Sequence, residues 1–410
     1  MNRAWQDIAI SQITSSEIKH ILTLRYNPKL EPPLPKLNWK DFVEKNPPEN
    51  LTLNIEKIIS NSLQNNIKKS TVALALSSGI DSTLITAILR KKFPHLNIES
   101  ISVTFADSVD ESPNAKRIAE KFETNHHVLS LENFLLELPK AISIVKQPFW
   151  DLHWYYVVKK AKSLSNLLLS GDGGDELFGG YTFRYQKFLS LVNSNSPVLT
   201  KIISYLECHE RDWVQDQEKL FGKKITFSWS EIYSILKEYF TNNLHPINQV
   251  FLADYNGKLR HNMLPLYNKI HTHFKIKNIA PLLSTQLIQL ATHLPKELKY
   301  DPHTNSGKIV LRKLLQRFTV DKLVTGNKQG FSVNTTNLWK NHAQKLCKYY
   351  LTNSRITKER WINYEWISKY LDNDELDVRI INKFLGLLAF EIWYRLFISK
   401  EMKSSELLYT

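Results

Sequence analysis

The stretch TVALALSSGIDSTLITAILR, residues Thr71 to Arg90, opens with a short apolar run, Val72 to Leu76. A buried parallel strand needs a run of this kind. It closes with Leu84, Ile85, Ile88 and Leu89 at three- and four-residue spacing, the stripe of an amphipathic helix. Between them lies the small, hydroxylated turn Ser77 to Ser82. A strand that feeds such a turn into a helix N-terminus presents free backbone N–H groups and the positive end of the helix dipole, which together make an anion pocket. Hydroxyls at Ser77, Ser82 and Thr83 can add donors. Asp81 is the odd member, because a carboxylate repels a bound phosphate unless a divalent cation bridges the two. Alone, the turn reads equally well as an ordinary β-α connection with Asp81 and Ser82 as capping residues. It has neither the lysine and spacing of a Walker loop nor the G-x-G-x-x-G of a dinucleotide fold.

Working outward, strands and helices alternate. Strand Ser100–Phe105 precedes helix Pro113–Phe122, strand His127–Leu131 precedes helix Asn133–Val145, and a helix over His153–Leu164 leads into strand Asn166–Ser170. This alternation predicts a parallel sheet covered on both faces, with ligands at the carboxyl ends of the strands. From about Phe183 the strand signals fade. Helical patterns follow at Ser228–Tyr239, Ser284–His293, Lys308–Phe318 and Asn382–Phe397, which predicts a helical half packed on the sheet. Residues 1–50 crowd six prolines between Pro28 and Pro48 and read as a linker-like or wrapping segment rather than a domain.

Composition narrows the function classes. The net charge of +14 is spread along the chain with no run of five basic residues, so it reads as a solvated basic surface, and nucleic acid is not the expected partner. Only Cys208 and Cys347 are present, which defines neither a disulfide framework nor a zinc quartet. No apolar signal core opens the chain, and its most apolar late segment, Phe384–Ile398, carries Glu391 and Arg395. A cytoplasmic protein without a membrane partner is expected. No feature indicates an oligomeric state.

A second loop changes the weight of the first. Ser170 to Tyr181 reads SGDGGDELFGGY, five glycines and three acids directly after a strand. The glycines permit close approach of backbone to ligand or a positive φ. Asp172, Asp175 and Glu176 crowd one strand end, which is costly unless a cation neutralises them.

The two loops together resemble the synthetase domain of the asparagine synthetase family, a branch of the pyrophosphate-loop ATPases. Ser77 to Ser82 matches S-G-G-x-D-S with Ser78 in place of a glycine, and Ser170 to Tyr181 matches S-G-(D/E)-G-(G/S)-D-E-x-F-G-G-Y throughout. Further resemblance runs through Asp110-Glu111, Ala115, Ala119 and His126-His127. Gln147-Pro148-Phe149-Trp150-Asp151 is similar to E-P-x-x-D, Lys308 to Arg312 to K-x-x-L-R, and Asn327 to Phe331 to K-x-G-F. The closing helix Leu385–Phe397 places Trp393 at the family tryptophan.

Residues 51–398 are therefore identified as asparagine synthetase-like. The resemblance implies an α/β fold of the adenine nucleotide alpha hydrolase type: a parallel five-stranded sheet with helices on both faces in residues 51–182. A mostly helical half over 183–398 and a tail over 399–410 complete the expected organisation. It also implies an ATP-dependent, AMP-forming ligase that activates a carboxylate as an acyl-adenylate and transfers ammonia or an amine to it, with asparagine biosynthesis the default. ATP would be a substrate and Mg²⁺ the metal. By the match, Ser77, Gly79, Asp81 and Ser82 hold pyrophosphate, and Asp81 and Asp175 bind Mg²⁺. Leu76, Val103, Ser170 and Gly171 line the adenosine side. Asp172, Glu176 and Lys328 are the catalytic candidates, and His126, His127 and His153 take no role.

Two departures qualify this. The family's N-terminal glutaminase begins with a cysteine at position 2; here it is Asn2, and about fifty residues precede the resemblance. No glutaminase domain is expected, so the nitrogen would come from free ammonia, a separate glutaminase subunit, or an amine on the substrate. The family's acceptor stretch D-R-x-S-M-A-x-S-x-E-x-R-x-P-F-L-D corresponds to Asn268–Ser284, where Lys277, Ile279 and Ser284 replace the glutamate, arginine and aspartate. Aspartate is the default substrate, yet this stretch does not support it, and a diverged ligase that forms an intramolecular or peptide amide, as β-lactam synthetases and lasso-peptide cyclases do, is the alternative. An RNA-modifying pyrophosphate-loop enzyme is a weaker one, because no Cys cluster or basic RNA domain accompanies the motifs.

Overall fold

The computed structural model describes residues 13–105, 110, 112–209, 214–324 and 333–409. Its centre is a five-stranded parallel sheet in the order β3-β2-β1-β4-β5. The strands are β1 (Thr71–Ala75), β2 (Asn97–Phe105), β3 (Asn125–Leu131), β4 (Leu167–Leu169) and β5 (Lys277–Ile279). The pairs β1–β2 and β1–β4 flank the central strand, with Ala75 opposite Ile101 and Leu74 opposite Leu169. Strand order reverses at β1, so the two glycine-bearing loops leave the sheet from neighbouring strand ends at the switch point.

The period of two in β1 divides its side chains between two cores. Val72, Leu74 and Leu76 pack with helices α2 (Leu51–Asn66), α3 (Ile80–Lys92) and α4 (Ser112–Lys121). Ala73 and Ala75 face α5 (Leu138–Val145), α6 (His153–Lys162) and the long helix Val378–Phe397. Alanine on that side lets the aromatic residues of α6 lie close to the sheet. Burial on both faces is what made the strand read as a continuous apolar run.

The fifth strand corrects the sequence reading. Lys277–Ile279 lies in a region where helical signals dominate, and it completes the sheet from outside residues 51–182. Three residues carry no measurable alternation, and the strand exists because β4, itself three residues long, offers it an edge: Leu168 pairs with Asn278. The expected helix Asn133–Val145 is shorter, and Leu138–Val145 with Pro139 in its first turn is its regular part.

The proline-bearing residues 28–48 lie against the helical half. After α1 (Ser15–Leu24), the chain crosses the helical half, held by Arg260 Nε donating to the Leu34 carbonyl (2.9 Å) and Asn256 Nδ2 to the Leu37 carbonyl (2.9 Å). Among the described residues, no helix is long and apolar enough to cross a membrane.

Candidate active site

The first loop is tied to itself. Ser77 N–H donates to Ser82 Oγ (3.1 Å), Ser82 Oγ donates to the Ser77 carbonyl (3.0 Å), and Gly79 N–H donates to Ser77 Oγ (3.1 Å). These bonds fix the curve of the turn before α3 begins. Thr83, read as a further donor, is turned inward: its hydroxyl donates to the Gly79 carbonyl (2.7 Å) and is fully buried. Ser78 is also fully buried, and it is not among the described residues with positive φ, so a serine there strains nothing.

The second loop needs its glycines. Gly173 takes φ 89° and opens the short helix α7 (Gly174–Phe178), and Gly179 closes it at φ 76°. A Cβ on Gly174 would overlap the Asp81 carboxylate, one on Gly180 would overlap that of Asp175, and one on Gly171 would come 2.9 Å from Asp81 Cβ. Backbone from β4 is thus laid directly against the α3 N-terminus, which brings Asp81 and Asp175 to one point.

What lies between them is a cation from the chain itself. Lys308 Nζ meets Asp81 Oδ2 and stands 2.7 Å from Asp175 Oδ1. Its side chain is 9% exposed. Burial opposes the ammonium, but Asp175 and Asp81 outweigh it and hold its pKa above the ordinary lysine value. Lys308 adopts a left-handed conformation (φ 57°), caps helix Ile309–Gln316, and donates its N–H to the Phe178 carbonyl (3.0 Å). One turn on, Arg312 Nε donates to the Gly307 carbonyl (2.9 Å), and Asp81 acts on its charge. The sequence offered Lys308 and Arg312 only as part of a resemblance; their approach to Asp81 is a product of the tertiary fold.

Asp172 faces a different set of groups. Ser170 Oγ donates to its Oδ2 (2.8 Å), and Asn278 of β5 donates to Ser170 Oγ (3.2 Å) and to Asp172. Asp172 as a residue is half-buried, with protein packed around its carboxyl. This burial, reinforced by Glu176, pushes its pKa up to about 6 against the pull of Ser170, His153 and Asn278. Glu176 is 1% exposed and accepts the Tyr181 hydroxyl, so it sits behind Asp172 as an inward-facing carboxylate. Leu76 is fully buried, its N–H bonded to the Ile101 carbonyl (2.9 Å), and Val103 lies two residues from the end of β2. With Ser170 and Gly171 they stand at adjacent strand ends, where the adenosine side was expected. Lys328 lies outside the described residues.

Beside the acids opens a cleft of about 480 Å³. Asp175 is the only residue of the expected nucleotide and metal set that lines it. Its walls come from residues 21–26 after and within α1, from Pro148 to Asp151 and His153, and from Tyr181, Lys258 and Tyr267. Lys258 places its ammonium 3.7 Å from the Tyr181 ring centroid, a cation–π contact. Arg25 lies 5.0 Å above the Trp150 ring. His153, expected to pack without a role, lines the cleft too.

The rewritten stretch contributes differently from its sequence reading. Lys277 points out of the sheet to Asn66 Oδ1 (3.1 Å), Ile279 is buried, and Ser284 precedes helix Thr285–Thr292; none of the three lines the cleft. Alternation along β5 instead aims Asn278 at Ser170 and Asp172, and Leu283 packs under Gly173.

The asparagine synthase family model matches residues 55–395. The chain belongs to the asparagine synthase family. It is 26% identical over 369 residues to asparagine synthetase (glutamine-hydrolyzing) 1 of Bacillus subtilis strain 168, covering 81% of this chain and 57% of that protein. A putative asparagine synthetase (glutamine-hydrolyzing) of Mycobacterium tuberculosis strain H37Rv is 24% identical over 367 residues, 80% of this chain and 55% of the relative. The chain thus spans a little over half the length of these curated relatives. Among solved structures, the U34-tRNA thiolase NcsA from Methanococcus maripaludis with its 4Fe-4S cluster superposes with a TM-score of 0.27 at 13% identity, over 63% of this chain and 93% of that one. That level of likeness decides nothing about this chain.

Proposed function

We propose that this member of the asparagine synthase family is an ATP-dependent, AMP-forming amide ligase. In this reading it activates a carboxylate, aspartate by family default, as an acyl-adenylate and passes ammonia or an amine to it. One observation carries the reading: Asp81, Asp175 and Lys308 converge where two glycine loops leave β1 and β4. The pair of carboxylates already holds one positive charge, and the Cβ-free surfaces of Gly174 and Gly180 leave them room, so the donor set suits Mg²⁺ on pyrophosphate oxygens. That ion would absorb charge on the leaving pyrophosphate. Lys308, displaced from the acids, would then follow the phosphates, while the α3 N-terminus binds oxygen. Asp172, at the end of β4 and next to the cleft wall, is suited to act on the entering nitrogen, with Glu176 behind it. Lys328 is kept as a candidate for stabilising charge at the α-phosphate.

The cleft favours a second form of the same chemistry. It holds about 480 Å³ between aromatic walls, Trp150, Tyr181 and Tyr267 among them, which exceeds what aspartate alone fills. A carboxylate with a larger body, its amine supplied within the substrate, suits that space. A separate glutaminase subunit is the partner that the first form would call on. The test is pyrophosphate exchange into ATP across candidate carboxylates: exchange that depends on one carboxylate and on Mg²⁺ supports the ligase, and release of ADP and phosphate overturns it.

A further inference from the structure

At the cleft wall three polar side chains form a chain that the activation of a carboxylate does not use. Asp151 Oδ1 lies 2.6 Å from His153 Nδ1, and His153 Nε2 lies 3.1 Å from the Tyr267 hydroxyl. All three line the cleft. An ionised carboxylate only accepts, so His153 carries its proton on Nδ1 and offers Nε2 as an acceptor to the Tyr267 O–H. The arrangement is that of an orienting acid, an imidazole and a hydroxyl in series.

Its position is specific. Tyr267 is buried against Trp154, ring centroids 5.0 Å apart and stacked, and comes from helix Leu264–Phe274. The charged groups that act on it are Asp172, Asp151, Glu176 and Arg25. His153 in turn acts on Asp172. The hydroxyl end of the chain is thus within electrostatic reach of Asp172, and the Asp151 end reaches water, with 37% of that side chain exposed against 18% for His153.

We propose that Tyr267, His153 and Asp151 form a proton relay that converts the incoming ammonium into the attacking amine. This rests on the ligase reading above. The nitrogen gives a proton to Tyr267 Oη as Tyr267 passes its own to His153 Nε2. The resulting imidazolium is held by Asp151 and discharges to water. The neutral nitrogen then forms the C–N bond while the acyl C–O bond to phosphate breaks and AMP leaves with the electron pair. The second proton, far more acidic once that bond exists, goes to solvent. Burial and the neighbouring carboxylates keep Tyr267 un-ionised, so it exchanges protons without becoming a phenolate. Tyr267 would touch the nucleophile; His153 and Asp151 are positioning residues that act through it.

A purely structural tie between the loop and the helix is separated from a relay by Tyr267→Phe, which keeps the stack on Trp154. Ammonium chloride and hydroxylamine are the nucleophile probes, offered with Mg²⁺-ATP and the carboxylate that drives pyrophosphate exchange in the unmodified protein. Hydroxylamine is largely neutral at pH 7 and needs no deprotonation before attack. In the variant, AMP formation with ammonium is expected to fall about 100-fold relative to AMP formation with hydroxylamine, each rate being taken against the variant's own carboxylate-dependent exchange. An unchanged ammonium rate, or equal loss with both nucleophiles, overturns the relay. Absence of carboxylate-dependent exchange in the parent protein defeats the ligase reading instead. The ¹⁵N shifts of His153 give an independent check: an Nδ1–H tautomer is expected, and an Nε2–H tautomer overturns the relay whatever the substrate.

Discussion

Replacing Lys308 with methionine keeps most of the side-chain volume and removes the charge between Asp81 and Asp175. At the 2.7 Å separation from Asp175 Oδ1, a unit charge pair in an effective dielectric of about 20 is worth about 6 kcal/mol before desolvation is counted. The lysine side chain is 9% exposed, so little of this is screened by solvent. Desolvation of the three groups offsets part of it, and breaking a buried pair by removing one partner costs about 3–5 kcal/mol net. For a chain of 410 residues, the unfolding entropy converts that to a fall in Tm of about 4–6 °C. Differential scanning fluorimetry at neutral pH measures it directly. Two companions isolate the cause. Adding Asp175→Asn to Lys308→Met should restore most of the loss, because one carboxylate no longer faces another, and Mg²⁺ should restore part of it by replacing the missing charge. A Lys308→Met protein that melts within about 1 °C of the parent, or a double variant no more stable than the single one, would refute the picture of two acids held together by this lysine.

Three further outcomes follow from the same geometry. Gly180→Ala places a methyl group onto Asp175 and against Lys308 Cε, 2.6 Å away; displacing a carboxylate by about 1 Å should lower pyrophosphate exchange about 100-fold, measured at saturating ATP. Asp172 has its folded pKa raised to about 6, so the native state binds its proton more tightly than the unfolded chain. Stability is then greatest below about pH 4, falls as pH rises to about 6, and is flat above, with a ceiling of about 3 kcal/mol that the partial exposure of Asp172 reduces. Urea titrations at pH 4.5 and 7 should show that slope in the parent and its loss in Asp172→Asn. Ser78→Gly should leave ATP affinity within about twofold and cost under about 1 kcal/mol of stability, because the serine is buried without positive φ; a clear gain in affinity by calorimetry would contradict that.

What was legible in the sequence was what rests on local pattern. The run Val72–Leu76 reads as a doubly covered strand because both of its faces are in fact covered. The glycines at 171, 173, 174, 179 and 180 could be read as demands for close approach, and Gly174 and Gly180 meet that demand against Asp81 and Asp175. Long-range partnership was not legible. Lys308 is 227 residues from Asp81 along the chain, and nothing in its neighbourhood announces the acids that hold it. β5 is too short to carry a period and is defined by the strand it joins. The substitutions at Lys277 and Ile279 drew attention to the acceptor side by their charge, yet the pleat turns those two positions away and leaves Asn278 to face Asp172. The cleft draws on residues 21–26, which lie ahead of the family match and carry no motif. The histidine at 153 could have been suspected from its i, i+2 spacing to Asp151, but Tyr267, its other partner, comes from a distant helix.

The account stands or falls on the proposed metal–pyrophosphate pocket between β1 and β4. Incorporation of radiolabelled pyrophosphate into ATP, with Mg²⁺ present and aspartate first among the carboxylates tried, measures its use most directly in the parent protein and in Asp81→Asn. Exchange that requires both Mg²⁺ and a carboxylate, and that falls at least about 100-fold in Asp81→Asn, is the predicted result; exchange at the full parental rate in Asp81→Asn would contradict it.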